Sequence, residues 1–411
     1  MTLAAVTEPT GLGRNFTALW LATGTANLAD ALALFVLPLI ALRVTPSAGL
    51  VAGVTVALTL ALPLFGLPAG VIVDRVDRRR LLGSVNVVRV LALAGLTLSL
   101  VTGGPSIGWV YAADLALGIG ETLVDTGLAA LIPQTVTGTE PLGRANARLE
   151  VAQNVMNQFL GPPLAGVLAV AGLAWVTGAG ALLYLAAIPL LAAMRGRYRV
   201  AAATTMKQKG ELTAGLRFIW RSPLLRGLTV LTAAMNVFWA AWVAVLVVYA
   251  VDPGPVGLSP AGYGVLLTAM AVGGVAGAAV VTPLRRRLGA HRLLALDVVG
   301  TILLIGTPAV TANPWAIGAA MAVGGAGSSV WRVIVAVIRQ AVTPAELLGR
   351  VYSASRVISW GVLPVGAALG GLLAEGWGVR AVFVVGGLAS VGLLLAYAAT
   401  IRPAALAAAL P

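Results

Sequence analysis

Apolar runs of about twenty residues recur along the whole of this chain, separated by breaks of only a few polar positions. Wound into a helix, a run of that length matches the roughly 30 Å hydrocarbon thickness of a bilayer. Such segments lie near 16–42, 50–73, 81–102, 107–132, 148–170, 173–194, 225–250, 261–284, 291–310, 314–338, 351–374 and 379–401. Of 411 residues, 59% are hydrophobic and only 10% charged, against roughly 25% charged in soluble domains. A soluble core cannot hide that much apolar surface, and a disordered chain would not carry it. The expected fold class is an all-α membrane protein of twelve transmembrane helices.

The same composition closes off several kinds of chemistry. There is no Cys, so disulfide frameworks, thiolate catalysis and Cys-ligated metals are excluded. The one histidine, His291, sits in the basic run 285–292, so no metal site and no cofactor is expected. Neither a Ser–His–Asp arrangement nor a Gly-x-x-x-x-Gly-Lys phosphate loop is present, which argues against a membrane enzyme and an ATP-driven pump. The stretch before Phe16 has no basic n-region and no small-residue cleavage site, so no signal peptide is expected.

The net charge of +13 has a topological reading. With the N-terminus in the cytoplasm, 22 basic residues fall on inside segments and only Arg43 and Arg380 outside. Three more, Arg89, Arg332 and Arg356, lie within helices. That asymmetry obeys the positive-inside rule with both termini cytoplasmic, and it accounts for the charge without nucleic acid. Arg outnumbers Lys 25 to 2, the usage of a GC-rich bacterial genome. The expected location is a bacterial inner membrane, as a multi-pass protein surrounded by lipid and monomeric.

The chain also contains the same six-helix unit twice. Residues 132–144 and 338–350, which follow the fourth and tenth apolar segments, share eight of thirteen positions at an offset of 206. At an offset of 212, Arg75, Arg80, Leu81 and Leu82 recur as Arg287, Arg292, Leu293 and Leu294. The expected organisation is two pseudo-symmetric bundles, 1–194 and 225–411, joined by a polar linker, 195–224, with an amphipathic surface helix over 210–220. Two similar halves can rock about their seam and expose it to either side in turn.

Particular motifs resemble those of the major facilitator superfamily over essentially the whole chain. Gly70-Val-Ile-Val-Asp74-Arg75-Val-Asp77-Arg78-Arg79 is similar to that superfamily's loop motif between spans two and three, with Asp77 where the pattern has a second Gly. Gly161-Pro162-Pro163-Leu-Ala-Gly166 resembles the Gly-Pro motif of drug:proton antiporters. The run Leu142-Gly143-Arg144-Ala-Asn146 and the later Gly349-Arg350 and Pro364-Val-Gly366 are most similar to the enterobactin-exporter and macrolide-efflux branch. The family's Arg ahead of Gly-x-Gly in span four is absent; Asp114 precedes Gly118-Ile-Gly120. The resemblance implies a secondary transporter, not an enzyme. It also implies that Gly70, Asp74, Arg75, Arg78, Arg79 and Arg144 form a gating motif that latches the cytoplasmic side. Gly161, Pro162, Pro163, Gly166 and Pro364 are expected to bend their helices, because proline removes a backbone hydrogen bond and small residues allow close approach.

Charges sunk in a span cost roughly 2.5–3.5 kcal/mol each on insertion scales, so each needs a reason. Asp114, Glu121 and Asp125 fall on one stripe of span four and are expected to face a wet cavity, Asp114 near the outer end and solvated. Asn27 and Asp30 in span one, and Glu150, Asn154 and Asn157 in span five, extend that polar lining. Arg332 and Arg356 are the buried charges expected in the second half, with Trp239, Trp242 and Trp331 as flat apolar surfaces for a ligand. Arg89 is expected to be structural, paired with Asp30 or a span-four acid. The function expected is export of amphiphilic small molecules, of drug, macrolide or siderophore type, by alternating access with proton antiport. A proton-coupled importer of a small polar nutrient and a non-transporting receptor are the alternatives.

Overall fold

The computed structural model describes residues 12–136, 138–199 and 208–409. Positions 1–11, Thr137, 200–207 and 410–411, which include the leader region and the middle of the expected linker, lie outside the described residues. So do the side chains of Leu67 and 208–212.

Among the described residues the chain is helical apart from turns and one isolated bridge between Val251 and Leu258. Spans 1–4 are Gly13–Val44, Ala48–Arg75, Arg78–Thr102 and Ile107–Thr135. Span 5 is a composite rod over 139–171, in which a π-helical turn, Val155–Leu160, separates two α-helices. Span 6 is Leu173–Ala192, and span 7 is Pro223–Ala250. The helix Pro260–Val310 is broken at Gly289 (φ 78°, ψ 156°) into spans 8 and 9. Span 10 is Pro314–Val342, span 11 runs over 348–377 in two pieces, and span 12 is Val379–Thr400. Among the described residues ten helical segments are long and apolar enough to cross a membrane; the break at Gly289 divides one of them, and the fifth rod is a composite of shorter helices.

Local chemistry sets these boundaries. The side chains of Ser47, Ser106, Ser222, Ser259 and Asn313 each accept a backbone N–H from the first turn of the helix they precede. Gly172 (φ 135°) and Gly378 (φ 83°), which are 206 positions apart, turn span 5 into 6 and span 11 into 12. The π-helical turn ends at Gly161-Pro162-Pro163, where wider winding accommodates the missing proline N–H groups. Pro364 sits in the first turn after the break in span 11. The duplication reaches the polar contacts too. Asn157 donates to Asn27 Oδ1 (2.7 Å), tying span 5 to span 1, and Asn236 donates to the Ser359 carbonyl (2.6 Å), tying span 7 to span 11.

The outer surface is what a bilayer requires. Leu388 and Leu395 are 72% and 71% exposed, and Val101, Val167, Val170 and Leu182 are exposed too. In water so wide an apolar exterior would aggregate; lipid covers it. The chain is a multi-pass membrane protein.

Spans alternate between an arginine-rich end, carrying the 75–80, 144–148, 195–199 and 285–292 segments, and an arginine-poor end carrying Arg43 and Arg380. At the arginine-rich end Asp77 explains its departure from the family pattern. Its backbone is extended (φ −67°, ψ 117°), so no glycine is needed there, and its carboxylate caps span 3 through Arg80 N–H (3.1 Å). The other carboxylate oxygen accepts from Tyr198 N–H (2.9 Å), which docks the start of the linker on this loop. Burial opposes ionisation of Asp77, but those two N–H bonds and the charges of Arg79 and Arg80 outweigh it and hold the carboxyl below its ordinary value. The docking is therefore fully present above the unfolded value of about 3.9 and is lost as pH falls through the lower folded value. Asp77→Ala is expected to cost about 1 kcal/mol from the lost cap. It should also remove part of the acid-induced fall in the thermal-unfolding midpoint in detergent; an unchanged acid profile would contradict this role.

Candidate functional site between the two bundles

The site is built outward from a buried guanidinium. Arg89 of span 3 is 1% exposed, and its Nη1 lies 3.1 Å from Asp30 Oδ1 of span 1. Tyr184 of span 6 donates its hydroxyl to the same Asp30 oxygen (2.6 Å), and its ring lies 5.2 Å from the Arg89 guanidinium carbon. Arg89 Nη2 also donates to the Leu117 carbonyl of span 4 (3.4 Å). Gly120 makes this approach possible, since a Cβ there would stand 2.7 Å from Arg89 Nε. Four helices of the N-terminal bundle thus meet at one ion pair.

From that buried pair the acidic stripe runs into the open. Asp30 and Glu121 line a common pocket with Ala33, Leu34, Leu58 and Leu117, in the angle between spans 1, 2 and 4. Glu121 is exposed and, among the described residues, takes no hydrogen-bond or ion-pair partner, although the charges of Asp30, Asp125, Arg89 and Arg356 act on it. One turn further along span 4, Asp125 Oδ2 accepts from Arg356 Nη2 at 2.6 Å. Arg356 belongs to span 11, so this pair crosses from one bundle to the other. Its side chains are 37% and 48% exposed, so it is a solvated bridge and not a buried one. The third acid of the stripe does not join them. Asp114 is 2% exposed, which corrects the expectation that it is solvated: helix packing at that level covers it.

The other expected residues divide between the site and the core. Asn27 and Asn157 bind each other beside the pocket-lining turn of span 1, Asn154 accepts from Gln158 (3.3 Å), and Glu150 is exposed. Arg332 is exposed, not buried, and donates to Ser329 (3.2 Å). Trp242 is 1% exposed and packed into the core, and Trp331 donates to Thr232 (3.0 Å) at 4% exposure, so neither offers a free ring face; Trp239 is half-buried. In the gating motif Asp74 pairs with Arg78 (3.7 Å) and Arg79 donates to the Met194 carbonyl, all within the N-terminal bundle. Gly70 is half-buried, Arg75 is exposed, and Arg144 lies 4.0 Å from Glu140.

Sequence patterning does not reveal the clasp at the arginine-poor end. Glu375 of span 11 accepts from Ser47 Oγ (2.7 Å) and Gly49 N–H (2.9 Å), so a carboxylate of one bundle caps a helix N-terminus of the other. Below it a Cβ at Gly371 would stand 2.9 Å from that of Ala52. On the opposite flank a Cβ at Gly166 of span 5 would lie 2.9 Å from Ala261 of span 8, and one at Gly264 would strike the Pro162 carbonyl. The seam is shut at this end by close backbone packing, and the charged pocket lies deeper along spans 1, 2 and 4.

Two bundles closed on each other at one end, with ionisable groups at mid-depth along the seam, define a transporter of the alternating-access kind. The chain belongs to the transmembrane secretion effector family of the major facilitator superfamily (MFS_3), whose pattern matches residues 12–408. It is 30% identical to the enterobactin exporter EntS of Citrobacter koseri, over 84% of this chain and 82% of that one. It is 26% identical to the multidrug efflux pump Tap of Mycolicibacterium fortuitum, over 88% and 89%. Its fold is similar to the crystal structure of a bacterial homologue of the iron transporter ferroportin in its inward-facing state (TM-score 0.73, 18% identity, 95% of this chain and 99% of that one).

Proposed function

We propose that this protein exports amphiphilic small molecules from the bacterial cytoplasm by proton antiport, with its arginine-rich end and both termini in the cytoplasm. The relatives that cover most of its length are named as exporters, and the arginine asymmetry supports that orientation. In that orientation the seam is closed to the outside and the pocket is reached from within.

One observation carries the proton assignment. Three carboxylates, Asp30, Glu121 and Asp125, share the centre with two guanidinium groups, Arg89 and Arg356. Two of the acids are matched at ion-pair distance, and Glu121, the third, faces the pocket. A carboxylate left over in low-dielectric surroundings is the group that takes up a proton when the cavity is dry and gives it up when wet. Facing the cytoplasm, Glu121 releases its proton and the amphiphile enters. The cytoplasmic end then closes, the Glu375 clasp parts, and a proton from outside returns to Glu121 as cargo leaves. One proton enters per cycle. Asp74 and the arginines of its loop serve as the latch of the cytoplasm-closed state, and the Gly-Pro stretch of span 5 is the bend about which that half closes.

The test is efflux of amphiphilic dyes and antibiotics from a host lacking its own pumps, with and without an uncoupler. The wild type is expected to extrude substrate in an uncoupler-sensitive way, and Glu121→Gln to lose at least about tenfold of that rate while reaching the membrane at normal levels. Uncoupler-sensitive efflux at the wild-type rate in Glu121→Gln overturns the assignment.

A further inference from the structure

The C-terminal bundle holds an acid that the proposed cycle does not use. Asp297 lies in span 9, is 2% exposed, and neither of its carboxylate oxygens has a hydrogen-bond partner among the described residues. It is pressed against Gly327 of span 10: a Cβ at that glycine would collide with Asp297 Oδ1. The corresponding pair of helices in the N-terminal bundle, spans 3 and 4, also packs a charged side chain onto a glycine, there of the opposite sign. There the span-3 side chain Arg89 presses on Gly120 of span 4, and it finds Asp30 and Tyr184 as partners. Asp297 has no such company among the described residues.

None of the charged or titratable groups on the surrounding helices partners Asp297 among the described residues: Arg285, Arg286 and Arg287 lie at the arginine-rich end of span 8, and Tyr249 of span 7 donates to the Pro308 carbonyl. On span 10, Arg332 is exposed and bound to Ser329, and Arg339 donates to Ser355. On span 7, Arg226 donates to the Trp220 carbonyl at the arginine-rich end. On span 12, Arg380 binds the Ala309 carbonyl at the opposite end, while Tyr397 donates to the His291 carbonyl. At the start of span 9 itself, His291 meets the Ile401 carbonyl and Arg292 is exposed. No side chain among the described residues pairs with the Asp297 carboxylate. An ionised carboxylate held dry and unpaired is one of the costliest groups a protein can carry, and the usual escape is to bind a proton.

We propose that Asp297 is a second proton-binding site, separate from Glu121, and that its neutral form holds spans 9 and 10 together. Losing that proton would strand a charge against the Gly327 backbone, so the two helices must part and admit water. By linkage, the closed packing weakens by up to about tenfold per pH unit between the value at which an exposed carboxyl titrates and the value at which Asp297 titrates in the closed packing, and no further above the latter. The proposal concerns binding alone and stands whether or not Glu121 couples transport.

Infrared spectroscopy of the protein in lipid, together with hydrogen exchange, tests it. The wild type is expected to show the carbonyl stretch of a protonated, unbonded carboxylic acid at neutral pH, shifting only slowly in heavy water. Asp297→Asn, which preserves shape, should lose its contribution to that band, while Glu121→Gln and Asp114→Asn should keep it. Raising the pH should speed amide exchange along spans 9 and 10 in the wild type, while Asp297→Asn should show only the intrinsic base catalysis seen elsewhere in the bundle. A wild type without the band, a band undiminished in Asp297→Asn, or equal pH slopes in both proteins would overturn the proposal.

Discussion

Asp30→Ala is expected to destabilise the protein by about 3–5 kcal/mol, because it leaves the Arg89 guanidinium buried without a counter-charge. Tyr184 cannot take over that role, since its hydroxyl donates to Asp30 and offers Arg89 only a ring face. The loss should appear as a fall of many degrees in the thermal-unfolding midpoint of the detergent-solubilised protein. Adding Arg89→Met removes the stranded charge and keeps a similar volume, so the double variant should recover most of the lost stability. The same double variant keeps Glu121 as the unmatched carboxylate, so its efflux should remain coupled to the proton gradient. A double variant no more stable than Asp30→Ala would show that the ion pair is not what holds these four helices.

The second large effect concerns the closed seam. In Gly264→Leu the new side chain must enter space now filled by the Pro162 backbone, which cannot swing aside as a flexible side chain would. Overpacking of this kind costs roughly 1–3 kcal/mol, and all of it falls on the conformation in which spans 5 and 8 touch. A bias of that size shifts a two-state equilibrium by about 5- to 150-fold. The absence of native Cys allows spin labels to be placed cleanly at Val101 and Val310, exposed positions near the arginine-poor ends of spans 3 and 9. The distance between them should lengthen in Gly264→Leu and stay unchanged in Gly376→Ala, whose added methyl meets nothing within 4 Å. An unchanged distance in Gly264→Leu would mean that the spans 5 and 8 contact does not close the seam.

How much of this is legible in the amino-acid order follows the range of the interactions involved. Span positions and the duplication come through because twenty apolar residues in a row have a single use, and because the repeat is written into loops whose residues are constrained by turns. The Asp30–Arg89 pair is foreseeable, since few partners exist for a charge at that depth. The Asp125–Arg356 bridge is not, because its partners are 231 positions apart and nothing local in either helix points at the other. Tyr184 is invisible for a similar reason: it sits among the aliphatic residues of span 6 and becomes polar in function only through its contact with Asp30. Asp297 escapes notice because it is a single acid in an apolar run, with only Thr301 at helical spacing and no second ionisable residue to mark a face. Asp114 misleads in the opposite direction. It shares the helical stripe of Glu121 and Asp125, yet a stripe says nothing about where along its length the neighbouring helices close over it. The Trp residues mislead likewise, since Trp242 and Trp331 point into core packing that only the tertiary structure defines.

Labelling of a lone thiol at Leu34, beside Glu121 on the pocket wall, tests most directly whether the charged centre faces water that reaches it from one side only. With Leu34→Cys as the sole cysteine, a membrane-impermeant maleimide should modify inside-out vesicles, where the proposed orientation turns the arginine-rich end to the bath, far faster than right-side-out ones. Adding substrate together with a proton gradient should narrow that difference as the seam begins to alternate. Equal and negligible modification from both sides would place Leu34 and its acidic neighbours against lipid or sealed protein, and would contradict the account.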